Sequence, residues 1–141
     1  FRVYAWLIFA MLLFIWGNSM LPGEISGELS GGLMEYVGKL FAVFGAAGEF
    51  VLRKLAHFSE YTALGFFLGG LFTAQGQKSI HRITMPMGCG LFTACVDETI
   101  QIFSEGRGSS LIDVWIDFSG VCFGLLLHEL LHRLRLRYAG E

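Results

Sequence analysis

Four stretches of the chain are apolar along nearly their whole length, and most polar residues lie between them or at their ends. The stretches cover about residues 3–18, 51–74, 83–103 and 111–131. A helix needs about 20 mostly apolar residues to cross a hydrocarbon layer roughly 30 Å thick, and each stretch is close to that length. The pattern predicts an all-α polytopic membrane protein, with four transmembrane helices in a single domain of residues 1–141.

Short polar segments separate the last three stretches. The connectors GQKSIHR and SEGRGSS leave room only for tight turns, so neighbouring helices should be antiparallel. Pro86 is expected in the first turn of the third helix, where its missing N–H costs little. Ser110 and Asp113 have the spacing of a capping box, in which each side chain bonds the backbone N–H of the other residue. This pair predicts the start of the fourth helix.

The connector between the first two stretches, about residues 19–50, is much longer than the others. Its first part, SMLPGEISGELSGG, has the composition of a loop. Its second part places apolar residues at helical spacing, namely Leu33, Val37, Leu40, Phe41 and Phe44. This spacing predicts an amphipathic helix that lies in the outer membrane–water interface. The alternative is an ordinary lid packed on the transmembrane helices. The same segment can be both an interfacial helix and a lid.

Basic residues indicate the orientation of the four predicted helices. With four crossings, one side of the membrane holds Arg2, Lys78, Arg82, Arg133, Arg135 and Arg137. The positive-inside rule makes this side cytoplasmic and places both termini there. Ten of the twelve acids then lie on or near the outer side, all except Glu129 and Glu141.

The overall composition agrees with a membrane location. Hydrophobic residues make up 54% of the 141 residues and charged residues only 16%. Soluble domains carry about 25% charged residues. The net charge is −2, and no basic surface indicates a nucleic-acid partner.

Ionisable and polar residues gather at the predicted outer ends of the last three helices. They are Lys54, His57, Glu60 and Tyr61 in the second helix, Asp97, Glu98 and Gln101 in the third, Arg107 in the next connector, and Asp113 and Asp117 in the fourth. A charge at mid-membrane costs about 2.5–3.5 kcal/mol on the insertion scale, so these groups should face one another rather than lipid. We expect Lys54 or Arg107 to pair with one of the aspartates. Small residues, Gly65, Gly69, Gly70, Gly120 and Gly124, would let the helices approach closely.

Several of these residues also have simpler explanations. His57 could be a carboxylate's partner in a helix contact, and Asp113 could be only a capping residue. Arg53 is expected to be an interfacial anchor whose charged head reaches the water. His128 and His132, with Glu129 beside them, have the spacing of a metal-binding pair, but they lie next to the basic tail at the predicted cytoplasmic end. The simpler explanations do not account for so many ionisable groups at one depth.

Three ordered motifs resemble the VanZ-like family of bacterial membrane proteins. They are K-x-x-H-F-x-E-Y-x-x-L-G over residues 54–65, D-E-x-x-Q over 97–101 and R-G-S-S-L-x-D-V-x-x-D-x-x-G over 107–120. The first helix followed by N-S-M-L-P-G is also similar to that family, although Asn18 stands where a second small hydroxyl residue is expected. The similarity covers nearly the whole chain.

The resemblance implies a multi-pass protein of the bacterial cytoplasmic, or inner, membrane. The founding member of the family is associated with resistance to the glycopeptide teicoplanin, without a settled biochemical mechanism. The motif positions that the resemblance carries over to this chain are Lys54, His57, Glu60, Tyr61, Asp97, Glu98, Gln101, Arg107, Asp113 and Asp117.

Three functions are compatible with this pattern. The first is binding or modifying a lipid or a lipid-linked envelope precursor at the outer leaflet, with Lys54 and Arg107 facing a phosphate. The second is a membrane-embedded hydrolase or transferase, and the third is a non-catalytic packing network or docking site for a partner. Since fold does not determine function, the sequence leaves all three open.

The enzymatic hypothesis needs either a metal ion or a general base. Carboxylate-rich ligand sets suit Mg²⁺, Mn²⁺ or Ca²⁺, and adding a histidine makes Zn²⁺ a candidate. The candidate ligands are His57, Glu60, Asp97, Asp113 and Asp117, with Glu98 nearby. Alternatively His57 is a general base oriented by a carboxylate. Ser59, Ser109 and Ser110 are weak candidates for a nucleophile.

Overall fold

In the computed structural model the described part of the chain is all-α. The structure describes residues 1–21, 45–104 and 109–139, with side chains in all of these except 45–50 and 139. The helices are α1 (Arg2–Met20), α2 (Gly45–Ala74), α3 (Ser79–Ile102) and α4 (Leu111–Ala139). Each corresponds to one predicted apolar stretch, so the all-α prediction and its four helices are confirmed. The predicted interfacial helix around residues 33–44 and Arg107 lie outside the described residues.

The fourth helix extends well past its predicted end. It has 29 residues and is therefore about 43 Å long, more than a hydrocarbon layer needs. The residues after 131 are mostly Leu and Arg, which favour helix. Arg133 donates to Glu129 across one turn at 3.0 Å and ties this extension to the preceding turn.

The prediction that Pro86 opens the third helix is wrong. α3 begins at Ser79, and the Arg82 N–H already donates to the Lys78 carbonyl at 3.0 Å. Pro86 therefore lies inside the helix, where it cannot donate to the Arg82 carbonyl. Its side chain is fully buried. The sequence pattern missed the first turn of α3 because the residues that form it are mainly polar.

Glycines allow α2 and α4 to approach backbone to backbone. A Cβ added at Gly65 would overlap the backbone of Val121, and one at Gly124 would overlap the Thr62 carbonyl. At Gly120 the added atom would lie 2.6 Å from the Phe58 carbonyl oxygen. The predicted close approach is therefore confirmed at these three positions.

The interior and exterior of the helix bundle are unusual for a water-soluble protein. A small apolar core contains Ile15, Tyr61, Leu64, Leu68, Ala94 and Val121. Large apolar side chains such as Phe92 (68% exposed) and Leu126 (66% exposed) cover the outside. Soluble monomers seldom expose large continuous apolar surfaces. Two helices, Arg2–Met20 and Leu111–Tyr138, are long and apolar enough to cross a membrane.

Candidate functional site

The predicted polar residues meet where the start of α2, the end of α3 and the start of α4 come together. The antiparallel arrangement of consecutive helices brings these three ends to one level. Asp97 is fully buried and Asp117 is 1% exposed. His57, Glu98, Gln101 and Asp113 are also buried. These ionisable and polar side chains therefore occupy the interior of the bundle.

His57, Asp97 and Asp117 form the centre of this cluster. The His57 Nδ1 atom lies 3.8 Å from Asp97 Oδ2 and 3.7 Å from Asp117 Oδ1. One ligand atom from each of the three residues lies within 4.8 Å of the others. The sequence candidates Glu60 and Asp113 do not belong to this group. The three helices thus contribute one potential metal ligand each.

Lys54 and Asp113 form an ion pair above this centre, between α2 and α4. The two side chains are 21% and 12% exposed, so the pair is only partly shielded from solvent. The expectation that Lys54 pairs with one of the aspartates is confirmed.

Glu98 stabilises the backbone directly before α4. Its Oε2 atom accepts a hydrogen bond from the Ser110 backbone N–H at 3.0 Å. Ser110 caps the helix, since its Oγ accepts from the Ile112 N–H at 3.2 Å. The predicted start of α4 at Ser110 is therefore confirmed. The reciprocal capping box with Asp113 is wrong, because Ser110 Oγ accepts from Ile112 and the Ser110 N–H donates to Glu98.

A chain of hydrogen bonds connects the cluster to α1. Gln101 Nε2 donates to Asp97 Oδ2 at 3.1 Å and approaches Ser19 Oγ at 3.5 Å. The Ser104 hydroxyl donates to the Ser19 carbonyl at 2.7 Å. Ser19 is fully buried, yet the sequence analysis did not place it in the site. Its presence in N-S-M-L-P-G was the signal that could have identified it.

An open cleft leads from the helix ends down to the cluster. The cleft is small, with a volume of about 30 Å³, and it is lined by Arg53, Lys54, His57, Gln101, Asp113, Ile116 and Asp117. Arg53 was expected only to anchor the helix, but it forms part of this wall. The cleft therefore presents two cationic groups near its mouth and carboxylates deeper inside.

Tyr61 and Glu60 occupy different surroundings, although both follow His57 on α2. Tyr61 is fully buried, and in the described part of the chain its hydroxyl has no hydrogen-bond partner. It lies about one helical turn beyond His57 on α2. Glu60 is half-buried.

The second histidine group lies at the opposite end of the bundle and is part of a helix contact. The His128 and His132 rings stack with their centroids 6.2 Å apart. His128 Nε2 lies 3.3 Å from Thr73 Oγ1, and His132 Nε2 lies 3.2 Å from Arg82 Nη1. These contacts join α4 to α2 and α3.

Substitutions at Glu98 test whether this residue acts through its hydrogen bond to the Ser110 N–H or through its negative charge. We expect Glu98→Leu to lower the free energy of unfolding by about 1.5–3 kcal/mol, because the Ser110 N–H loses its acceptor. Glu98→Gln should cost much less, since the amide oxygen can still accept that bond. Thermal or chemical unfolding in detergent, followed by circular dichroism, measures both. Equal stability of the two variants would contradict this role.

Comparison with known proteins agrees with the motif resemblance. The family model of VanZ/LLP1 matches residues 2–132. No curated protein and no solved structure matches the chain. The matched range begins with α1, ends within α4 and contains every residue that lines the cleft. The chain belongs to the VanZ/LLP1 family.

Proposed function

We propose that this protein spans the bacterial cytoplasmic membrane four times and binds the phosphate-bearing headgroup of a lipid or lipid-linked envelope molecule at the outer leaflet. The observation that carries the proposal is the cleft, which exposes Arg53 and Lys54 at the polar end of a bundle with an apolar exterior.

The apolar exterior supports four membrane crossings. Each helix exposes large apolar side chains, for example Phe9 on α1, Leu55 on α2, Phe92 on α3 and Leu126 on α4. In water this surface would be costly, whereas lipid tails solvate it at no such cost. Under the positive-inside rule the Arg-rich end of α4 is cytoplasmic, so the cleft opens toward the outer leaflet.

The mouth of the cleft suits a phosphate group whose lipid tails remain in the membrane. Arg53 and Lys54 can donate charge-assisted hydrogen bonds to phosphate oxygens. Ile116 provides an apolar part of the wall, and Trp115 beside it is 65% exposed. An exposed tryptophan near the end of a transmembrane helix is typical of the headgroup region.

A metal-assisted hydrolase or transferase acting on the same molecule is the second candidate. The meeting of His57, Asp97 and Asp117 favours it, because metal-assisted chemistry needs converging ligands of this kind. A purely structural network is the remaining alternative, and the binding experiment below separates it from both.

We expect the double variant Arg53→Gln/Lys54→Gln to bind a phosphate-bearing lipid about 10–100 times more weakly, because it loses two charge-assisted donors. Phosphatidic acid titrated into purified protein in neutral nanodiscs is the probe. Diacylglycerol, which lacks the phosphate, should bind weakly to both proteins.

The matched control is Arg135→Gln/Arg137→Gln, which also removes two positive charges, from exposed positions at the far end of α4. It should retain full affinity. Undiminished phosphatidic acid binding by folded Arg53→Gln/Lys54→Gln protein would reject the proposed site and favour a structural network.

A further inference from the structure

We infer that His57, Asp97 and Asp117 form a binding site for one divalent transition-metal cation. The three residues come from α2, α3 and α4, so the site exists only when these helices are assembled. The inference deepens the proposed headgroup site. The role assigned to the metal rests on the proposed function, whereas the binding of the metal does not.

The distances within the group fit a shared ion. The separations of 3.7 and 3.8 Å between His57 Nδ1 and the two carboxylate oxygens exceed the length of a hydrogen bond. Ligands about 2.1 Å from a tetrahedral metal lie about 3.4 Å from one another. The two distances from His57 exceed this value by only about 0.3–0.4 Å. The ligand oxygens of Asp97 and Asp117 lie within 4.8 Å of each other and would approach by at most about 1.4 Å around an ion.

Buried polar atoms provide an independent indication of a ligand. Asp117 is 1% exposed, and its Oδ2 atom has no hydrogen-bond partner among residues 1–21, 45–104 and 109–139. The fully buried Tyr61 hydroxyl nearby is in the same situation within these ranges. A carboxylate is seldom buried without compensation, because it loses its hydration. A cation beside Asp117 would supply that compensation.

Neighbouring residues prepare the site without occupying it. Lys54, one of the two cationic residues in the cleft wall, is engaged with Asp113. Gln101 donates to Asp97 Oδ2 and holds that carboxylate in place. Hydrogen bonds of this type orient metal ligands and raise affinity.

The ligand set selects the kind of metal. One imidazole nitrogen with two carboxylates suits Mn²⁺ or Zn²⁺ better than Mg²⁺, which prefers oxygen ligands and water. Three protein ligands leave further coordination positions, and His57 and Asp117 line the cleft. There the positive charges of Arg53 and Lys54 are balanced by Asp113 and Asp117. A divalent cation would add positive charge deeper in the cleft and strengthen the binding of a phosphate by Arg53 and Lys54.

Metal analysis of the purified full chain tests the inference. Protein stripped with a chelator, reloaded with MnCl₂ or ZnCl₂ and desalted should retain about one ion per chain by mass spectrometry. Asp117→Asn and His57→Gln should each weaken binding by about 100-fold or more, which Mn²⁺ titration followed by electron paramagnetic resonance measures. Glu129→Gln is the matched control: it removes a carboxylate from the opposite end of α4, where Glu129 pairs with Arg133, and should retain the ion.

Failure to retain either metal, or equal retention by folded wild-type, Asp117→Asn and His57→Gln proteins, would overturn the cation site. Phosphatidic acid binding, measured on the same samples, distinguishes this failure from that of the proposed function. Lipid binding by metal-free protein that cannot be loaded rejects the cation site alone. Stoichiometric metal without lipid binding supports the cation site and rejects the headgroup proposal.

Discussion

Gly124→Val should lower the free energy of unfolding by about 3 kcal/mol and abolish metal binding. The new side chain would overlap the Thr62 carbonyl, which belongs to the backbone of α2 and cannot rotate away. Overpacking a core commonly costs about 1–3 kcal/mol, and contact with backbone places this variant at the upper end. Because His57 lies on α2 and Asp117 on α4, separating the two helices would also separate the proposed ligands.

Gly88→Val is the control for this substitution. Gly88 lies in α3 and is exposed, and an added Cβ there would meet no atom within 4 Å in the described part of the chain. Its stability should change by no more than about 0.5 kcal/mol. Urea unfolding in detergent micelles compares the two proteins. Equal stability would show that α2 and α4 do not need the close approach that Gly124 allows.

Asp117→Asn should have the opposite effect on stability: without metal, it should raise the free energy of unfolding by about 1–3 kcal/mol. Asp97 and Asp117 are buried with ligand oxygens within 4.8 Å, so their negative charges repel in an environment that screens them weakly. The amide keeps the shape of the side chain and removes one charge. Functional sites commonly sacrifice stability in this way.

Asp113→Asn provides the contrast on the same helix face. Asp113 is paired with Lys54, so losing its charge should destabilise the protein, by about 1 kcal/mol because the pair is partly exposed. Thermal unfolding in the presence of a chelator measures both variants. Added Mn²⁺ should then stabilise the wild type and leave Asp117→Asn unchanged, since a ligand stabilises only the state that binds it. Loss of stability in metal-free Asp117→Asn would mean that neighbouring protein groups already compensate this carboxylate.

The motif resemblance to the VanZ-like family is confirmed by the family match, which covers residues 2–132. The association of that family with teicoplanin resistance stays a prediction for this member. Four membrane crossings, cytoplasmic termini and the outer interfacial helix also stay predictions. They concern the membrane or residues outside the described ranges.

Apolar runs alone predicted the four helices of the described residues, because a buried or lipid-facing helix must be apolar over most of its length. The same reasoning placed helix ends less well. It put Pro86 in a first turn and ended the fourth helix near residue 131, where the structure continues to Ala139. Polar residues at helix ends carry no apolar signal, so the pattern cannot separate a final turn from a connector.

For the site, helical spacing and alternating direction predicted that His57, Asp97 and Asp117 lie at one level. Spacing could not show which side chains meet, since that depends on how each helix is rotated and how closely the backbones approach. Only the tertiary structure showed that His57, Asp97 and Asp117 form the central group. It also showed that Asp113 pairs with Lys54 and that Glu98 accepts a hydrogen bond from the Ser110 N–H. Distances between helices arise from packing at glycines far apart in the chain, and local sequence does not contain them.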